Sequence, residues 1–554
     1  MRSLKPHSSI KFCFISALVI TGALFTQSCD DDDEEPGWNH VNNKFGANEQ
    51  SDPIIRTIES EPTHQPKQDH RSSGNFSTKG MNNTGSILWN CPEGVKFSVW
   101  IDKTGKDGVM ADNLYNGAIT PFYESDKLYI ANPQGAEDNF IVTYSAFNPE
   151  EGCVYVTSSS SPLSGQNNRS SQNFGLGYYY AYYKVSCPSG VSFKIMKDIS
   201  GGNDDVIFGS LKDGDIIGNH TDFGNDLYIS NPSGTSSSFL ITFKPYTGTL
   251  NWMENIPSYT YVSKISVPGT HDTGTFGLGA GDAKCQNYNY DHQLTSGLRA
   301  FDIRLNENLE VIHGSNLFKC GTTFTDVLNS FNKFLDAHPS EVIFMSVKED
   351  AGEIYTPFMN FYNTNKDLVK RIYTGKKCPT IGEVRGKIIL LRRFKVPEGT
   401  QFGWNCYDNW PDNTTGSFYG DDKEICFHVE DNFNEFDVYK KSDYVYNNMD
   451  EASQNTNYWD MYITFNSIAT NVLTTPWMFA WGRDILGDGE SAMQELFWSL
   501  THFTRRRPVA VGVVLMDFPN RHCADDYVYA IQSIINLNFT SDVVKNPTHS
   551  DNPF

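Results

Sequence analysis

At 554 residues the chain has room for about two to four domains, each large enough to bury its own core. Its formal net charge of −22 excludes a partner held chiefly by phosphate neutralisation, because nucleic-acid affinity is drawn from Lys and Arg clusters. Membrane contact must likewise use apolar insertion or a lipid anchor, not a polybasic patch.

The N-terminus carries Arg2, Lys5 and Lys11, then the apolar stretch FCFISALVITGALF, then TQSC and the acid run DDDDEE. A charged start, a short apolar core and a small-residue cleavage site read as an export signal over residues 1–28, too short to span a bilayer. Cys29 stands where a lipoprotein signal places its lipidated cysteine, so the expected location is the outer membrane or cell surface of a Gram-negative bacterium, otherwise secretion. From 29 to 85 the chain is polar and rich in Asn, Ser, Gln and Pro, which predicts a flexible stalk.

An internal repeat follows. CPEGVKFSVW at Cys91 returns as CPSGVSFKIM at Cys187, LYIANPQG at Leu128 as LYISNPSG at Leu227, and FIVTY at Phe140 as FLITF at Phe239. The offset is about 96 to 99 residues each time, the mark of a duplicated unit. Apolar residues alternate within both copies (Val95, Phe97, Val99; Val191, Phe193, Ile195), so two small all-β sandwich-like repeats are predicted, over 86–160 and 161–250. Their Tyr and Trp residues suit either core packing or a face for a glycan or other surface ligand.

From Asn251 the texture changes to short β-branched runs alternating with helical stretches: SKISVPGTHD, LRAFDIRL, LEVIHG, EVIFMSVKED, KIILLRRF, ICFHVED, MYITFNSIA and PVAVGVVLMDF. TTFTDVLNSFNKFLDAHPS places Val327, Leu328, Phe331, Phe334 and Leu335 on one helical face and stops before Pro339; ESAMQELFWSLTHF is a second helix. The pattern predicts an α/β irregular TIM-type barrel over 251–545, irregular because LRAFDIRL and LEVIHG lie too close for a helical crossover. Leaving out Cys13 and Cys29, the nine remaining cysteines show no CxxC spacing, so no metal site is read from them.

Polar residues recur at the C-terminal ends of the predicted strands: His271 and Asp272, Asp302 and Arg304, His313, Lys348 and Glu349, Arg392 and Arg393, Asp431, and Asp517. Those ends converge on one face of a parallel barrel, where its active sites are built. Two histidines suit paired general acid and base, an arginine steadies phosphoryl oxygens, and an aspartate behind an imidazole fixes its tautomer. The set points to phosphodiester cleavage.

The ordered motifs SVPGTHDTGTF, FDIRL, VIHG, HPSEVIFMSVKED and GKIILLRRF resemble bacterial phosphatidylinositol-specific phospholipase C, the X-domain family, over about residues 255 to 540. The resemblance implies that His271 is the general base on the inositol 2-hydroxyl, oriented by Asp517, and that His313, assisted by Asp272, is the general acid. Arg304 would stabilise the phosphorus centre and Asp302 would support it. Lys348, Arg393 and Asp431 fall where the family binds inositol hydroxyls, Arg393 being taken over its neighbour Arg392 by the family's basic pair before an aromatic. Phe433 stands near the place of an expected tyrosine. The implied products are diacylglycerol and inositol 1,2-cyclic phosphate, from membrane phosphatidylinositol or glycosylated inositol lipids. Arg304 stands where calcium-using relatives carry an acid, so neither metal nor other cofactor is implied. TTPWMFAWGRDILG offers Trp477 and Trp481 as membrane-contact residues. Alternatives are a glycerophosphodiester phosphodiesterase, or a glycan- or host-binding lipoprotein with a degenerate barrel.

Overall fold

The computed structural model describes residues 55–547 apart from 64–69, 82–85, 93, 105, 116–117, 122, 148–151, 163–167, 178, 201–202, 220–223, 237–238, 280–282, 470–474, 482–490 and 520–528. The signal segment, the start of the stalk and Cys29 lie outside the described residues, as does Cys523. Among the described residues, no helix is long and apolar enough to cross a membrane.

Period-two patterning before Asn251 gives two consecutive β units, each a four-stranded and a three-stranded antiparallel sheet. In the first, Ile55–Ser60, Phe140–Phe147, Ser86–Asn90 and Ala118–Pro121 lie side by side, and Lys96–Ile101 is flanked by Gly108–Leu114 and Leu128–Gln134. The second repeats this order, with Val154–Ser158 in the place of Ile55–Ser60. Both edge strands were assigned elsewhere by sequence, one to the stalk and one to the preceding unit. Each pairs on one side only, so its polar residues can remain solvated and its pattern reads as a linker.

The same polar cluster occurs in both units. The Arg71 guanidinium lies 4.0 Å over the Tyr129 ring and 2.7 Å from Asp102, while the Tyr129 hydroxyl donates to Asp107. Arg169 lies 4.1 Å over Tyr228 and 2.6 Å from Asp198, and Tyr228 donates to Asp204. Trp89, Tyr129, Tyr144 and Tyr183 are buried, so these aromatics serve packing.

After Asn251, seven parallel strands form the barrel wall: Ser266–Thr270, Ala300–Asn306, Ile343–Ala351, Ile388–Arg393, Cys426–Glu430, Asp460–Asn466 and Gly512–Met516. The first pairs with both the second and the last. Among the described residues the wall does not close between Ile388–Arg393 and Cys426–Glu430, whose other neighbours include Trp404–Asn405 and Thr415–Tyr419. LEVIHG is a strand, Glu310–His313, but not a stave: it runs antiparallel to the second strand and forms a hairpin with Ser315–Thr323. The predicted helix spans Phe324–Ala337, starts with a Thr323 and Asp326 capping box, and buries Val327, Leu328, Phe331, Phe334 and Leu335.

The second β unit seats on the barrel through hydrogen bonds from Ala181 N–H to Thr295 Oγ1 (2.9 Å) and from Gln532 to the Tyr182 hydroxyl (3.0 Å). His292 is sealed in this seam, stacked on Tyr288 and facing Asn219 at 3.5 Å. Burial pushes its imidazole down from 6.5 to about 4. The folded state therefore binds fewer protons than the unfolded chain between these values, and stability falls as pH drops through that window. The loss expected is about 3 kcal/mol across it; His292→Gln should flatten the pH dependence of the thermal midpoint below pH 6.5. An unchanged slope would show that this imidazole does not control the seam.

Candidate active site

Parallel pairing brings the strand-end residues to one mouth. His271 and Asp272 follow the first strand directly, Asp517 follows the last, Asp302 and Arg304 lie on the second, and Asp431 follows Cys426–Glu430. The register also sets Arg304 opposite Lys348 and Lys348 opposite Arg393, three cations in one row across adjacent strands. Such a row is repulsive unless anions stand among it, and Asp272, Asp302, Asp350 and Asp431 do so here.

Asp272 is the hub. Its Oδ2 lies 3.3 Å from His271 Nε2 and 3.1 Å from His313 Nε2, and its Oδ1 lies 2.8 Å from Arg304 Nε. Burial alone would raise this carboxyl, but Arg304, His313 and His271 outweigh it and hold it well below the usual carboxylate range. Asp272 thus contacts its own neighbour as well as His313, where sequence tied it to His313 alone. The reason is a backbone turn. Asp272 has φ of 44°, a left-handed conformation that costs a non-glycine residue about 1 kcal/mol or more, and its N–H donates to Asp302 (3.3 Å).

His271 Nδ1 lies 2.8 Å from Asp517 Oδ1. With its Nδ1–H donated to that carboxylate, Nε2 faces the mouth 3.3 Å from the ionised Asp272 Oδ2, so it carries a proton until pH rises above the pKa of the imidazole. Gln286, unmarked in the sequence, donates to the His271 and Met516 carbonyls at 2.7 and 2.9 Å and ties the two strand ends together. Burial depresses the His271 imidazole, yet Asp517 and Asp272 outweigh burial and its pKa lies above 6.5. The base is free only at higher pH, so the acid limb of kcat/KM should lie above 6.5. In Asp517→Asn that limb should move to lower pH while kcat/KM falls at least about a hundredfold; a limb left in place would assign it to another group.

Arg304 lies 3.0 Å from Asp302 and 3.7 Å from Asp350. Burial opposes its charge, but Asp272, Asp302 and Asp350 raise its pKa well above the ordinary value. Asp350 was not singled out by sequence, although it follows Lys348 at the two-residue spacing that keeps one face of a strand. It pairs with Lys348 at 2.8 Å and accepts from Gly314 N–H at 2.9 Å, fixing the turn after His313. The nearby Arg304 charge, with burial, lowers the Lys348 pKa.

Strand alternation separates the basic pair. Arg392 turns away, donating to the Phe402 and Phe394 carbonyls. Arg393 turns inward, 3.4 Å from Asp302 and 3.9 Å from Asp431, with its guanidinium 3.7 Å over Trp410. Trp410 Nε1–H donates to Asp431 at 2.7 Å, so the aromatic ring at this carboxylate is Trp410. It sits in a loop of Asn, Asp and Pro that gave no signal. Phe433 is half-buried and tied by its backbone, with its N–H donating to the Asp431 carbonyl at 3.0 Å. Glu349 lies at the same strand end as Lys348.

The two tryptophans expected at a membrane differ in exposure. Trp481 is 4% exposed, and its indole N–H donates to the Phe518 carbonyl at 3.2 Å. It props the turn after Asp517, and Trp477 is half-buried against the core. Short helix Pro476–Trp481 folds its apolar side down because that side seals the barrel.

A parallel barrel whose mouth joins two histidines, an arginine and supporting carboxylates holds the groups that acid-base catalysis requires. Residues 270–394 match the family described as Phosphatidylinositol-specific phospholipase C, X domain. A 1-phosphatidylinositol phosphodiesterase of Listeria monocytogenes serovar 1/2a is 26% identical over 293 residues, covering 49% of this chain and 82% of that protein. One from Staphylococcus aureus strain Newman is 28% identical over 240 residues, covering 40% and 75%. A solved phosphatidylinositol-specific phospholipase C of Staphylococcus aureus has a TM-score of 0.46 at 24% identity, covering 52% of this chain and 97% of that one. The family and sequence matches support an enzyme, and they make the barrel similar to the X domain of phosphatidylinositol-specific phospholipase C.

Proposed function

We propose that this enzyme cleaves phosphatidylinositol to diacylglycerol and inositol 1,2-cyclic phosphate without a metal ion. The observation that carries the reading is the shared carboxylate: both imidazoles face Asp272 Oδ2, and Arg304 holds the other oxygen. An acid and a base are thereby set on either side of one point, with the Arg304 guanidinium beside it. His271 Nε2 takes the proton of the inositol 2-hydroxyl as that oxygen bonds to phosphorus. His313 gives its proton to the glycerol oxygen as the phosphorus–oxygen bond to diacylglycerol breaks. Arg304 meets the charge gathering on the phosphoryl oxygens. Lys348, Arg393 and Asp431 supply donors and an acceptor for inositol hydroxyls, and glycosylated inositol lipids offer the same headgroup chemistry.

Arg304 also bears on metal. Its guanidinium lies between Asp272 and Asp302, so the carboxylates that would hold a divalent ion already have their cation. The same fact disfavours a metal-dependent glycerophosphodiesterase. Diacylglycerol release from phosphatidylinositol vesicles should persist in excess chelator, while phosphatidylcholine vesicles release none. Loss of activity in chelator, restored by calcium, would overturn the metal-free reading; equal release from both lipids would overturn the headgroup assignment.

The N-terminal signal with Cys29 supports an exported lipoprotein in this reading, the anchor and stalk holding the barrel at a membrane surface. The duplicated β units would then serve as spacers or bind a glycan on that surface.

A further inference from the structure

We propose that Cys426, His428 and Asp460 form a zinc site at the N-terminal end of the barrel wall, opposite the mouth. Sheet register assembles the cluster. Cys426 and Asp460 open the fifth and sixth parallel strands and are partners across them. His428 lies two residues beyond Cys426, so both side chains leave the same face of that strand. One ligand atom from each residue, the thiol sulfur, a ring nitrogen and a carboxylate oxygen, lies within 4.8 Å of the others. No CxxC spacing announces such a site, because its ligands come from two strands.

The histidine is held as a ligand would be. Its Nδ1 lies 2.8 Å from Ser417 Oγ on the neighbouring antiparallel strand, and its ring stacks on Tyr462 with centroids 4.4 Å apart. Metal-bound imidazoles are ordinarily oriented in this way, with one nitrogen on a hydrogen-bond partner and the other on the ion. Nε2 is buried and has no hydrogen-bond partner among the described residues. It faces Asp460 Oδ2 across 3.8 Å, too far for a hydrogen bond in either tautomer. Nitrogen and oxygen ligands of a tetrahedral zinc ion stand about 3.4 Å apart, so a small closure seats an ion between them.

The carboxylate is fixed as well. Asn455 and Asn457 donate to Asp460 Oδ2 at 2.8 and 3.2 Å, using two of the roughly four acceptor sites that a carboxylate offers. The neighbouring cation, Lys264, donates instead to the Asn455 carbonyl and side-chain oxygens at 3.0 and 3.2 Å. Cys426 and Asp460 are buried while His428 is half-buried, so an ion enters from the imidazole side.

Donor chemistry selects the ion. A thiolate and an imidazole favour zinc over calcium or magnesium, which take oxygen ligands. Cys426 binds as the thiolate, its proton leaving to solvent, and water completes the fourth position. The ion ties the starts of two strands next to the sector where the wall stays open among the described residues, and Ser417 extends the tie to Thr415–Tyr419. Its role is structural. Asp431 follows the far end of the strand that Cys426 begins, which leaves the chemistry at the mouth free of metal.

The test uses the full chain, stripped with chelator and titrated with Zn2+ or Co2+ alone. Binding is read without turnover, so failure of the lipid-cleaving reading leaves this proposal standing. Zinc at about a hundredfold over its Kd should raise the thermal midpoint by at least about 3 °C. Cobalt should give a thiolate-to-metal charge-transfer band. Cys426→Ser should abolish that band and weaken zinc binding at least about a hundredfold, and Ser417→Ala should weaken it about tenfold. His428→Gln can keep a hydrogen bond to Ser417 and should still lose zinc, which separates loss of the ion from misfolding. Turnover of phosphatidylinositol by Cys426→Ser in chelator should stay within about twofold of wild type. No zinc binding by wild type, or binding undiminished in both Cys426→Ser and His428→Gln, would overturn the proposal. Turnover that requires zinc at Cys426 would overturn the structural role.

Discussion

His271→Ala should lower kcat on phosphatidylinositol by about ten-thousandfold, the upper range for loss of a positioned general base. Two features of the site support an effect of that size. The imidazole is fixed from behind by Asp517 at 2.8 Å, and its carbonyl is pinned by Gln286 at 2.7 Å, so Nε2 is aimed before substrate arrives. Its removal leaves Asp517 able to take a proton, because burial already raises that carboxyl above its ordinary range and His271 is the main opposing charge. The variant should therefore fold. Circular dichroism and the thermal midpoint check this; a folded variant within about tenfold of wild-type kcat would remove His271 from the base position. His313→Ala should fall less on substrates with a more acidic leaving alcohol, since such a group departs without a donated proton. Equal losses on both substrates would separate His313 from the leaving-group side.

The largest expected effect on stability lies beneath the first strand, at Arg299. Its Nε lies 2.9 Å from Glu341, and its terminal nitrogens donate to the carbonyls of Leu294, Leu298, Thr249 and Leu250. Neither charged side chain is exposed. This one guanidinium joins the segment entering the barrel, the helix Tyr290–Thr295 and the start of the second strand. Arg299→Met should cost about 3–5 kcal/mol, because Glu341 stays buried without its cation and four carbonyls lose a donor. Arg299→Met with Glu341→Leu should recover part of that loss, since the residual buried charge is then gone. Urea unfolding monitored by tryptophan fluorescence distinguishes the two, and a double variant no better than the single one would place the cost in the lost carbonyl contacts.

The barrel was legible because its strands carry two signals at once, an apolar run and a polar residue where the run ends. Every one of the eight predicted strands is a strand, yet Glu310–His313 turns back antiparallel: its few residues fix an extended backbone but not a direction. His271, Asp272, Arg304, His313 and Asp517 come together at one mouth because parallel pairing aligns strand ends. Which oxygen meets which nitrogen was not legible. It depends on the left-handed turn at Asp272, a backbone choice that a run of small and polar residues leaves open.

Trp410, Gln286 and Asp350 show the same limit in different forms. Trp410 and Gln286 reach the site from irregular loops, where no periodicity tells the direction of a side chain. Asp350 was within reach, since the spacing from Lys348 puts both on one face of a strand. The tryptophans of PWMFAW were ambiguous for the opposite reason. Aromatic residues favour bilayer interfaces and protein cores alike, and only the fold shows that Trp481 seals the turn after Asp517.

The central claim is that two imidazoles move protons for an attack by the substrate's own hydroxyl. Phosphorus NMR of the enzyme acting on phosphatidylinositol tests it most directly, because attack by the 2-hydroxyl must pass through a five-membered cyclic phosphate. The cyclic species should appear first with wild type, in chelator, and be lost with His271→Ala. Direct appearance of the inositol monoester with no cyclic precursor, or cyclic product undiminished in His271→Ala, would contradict the account.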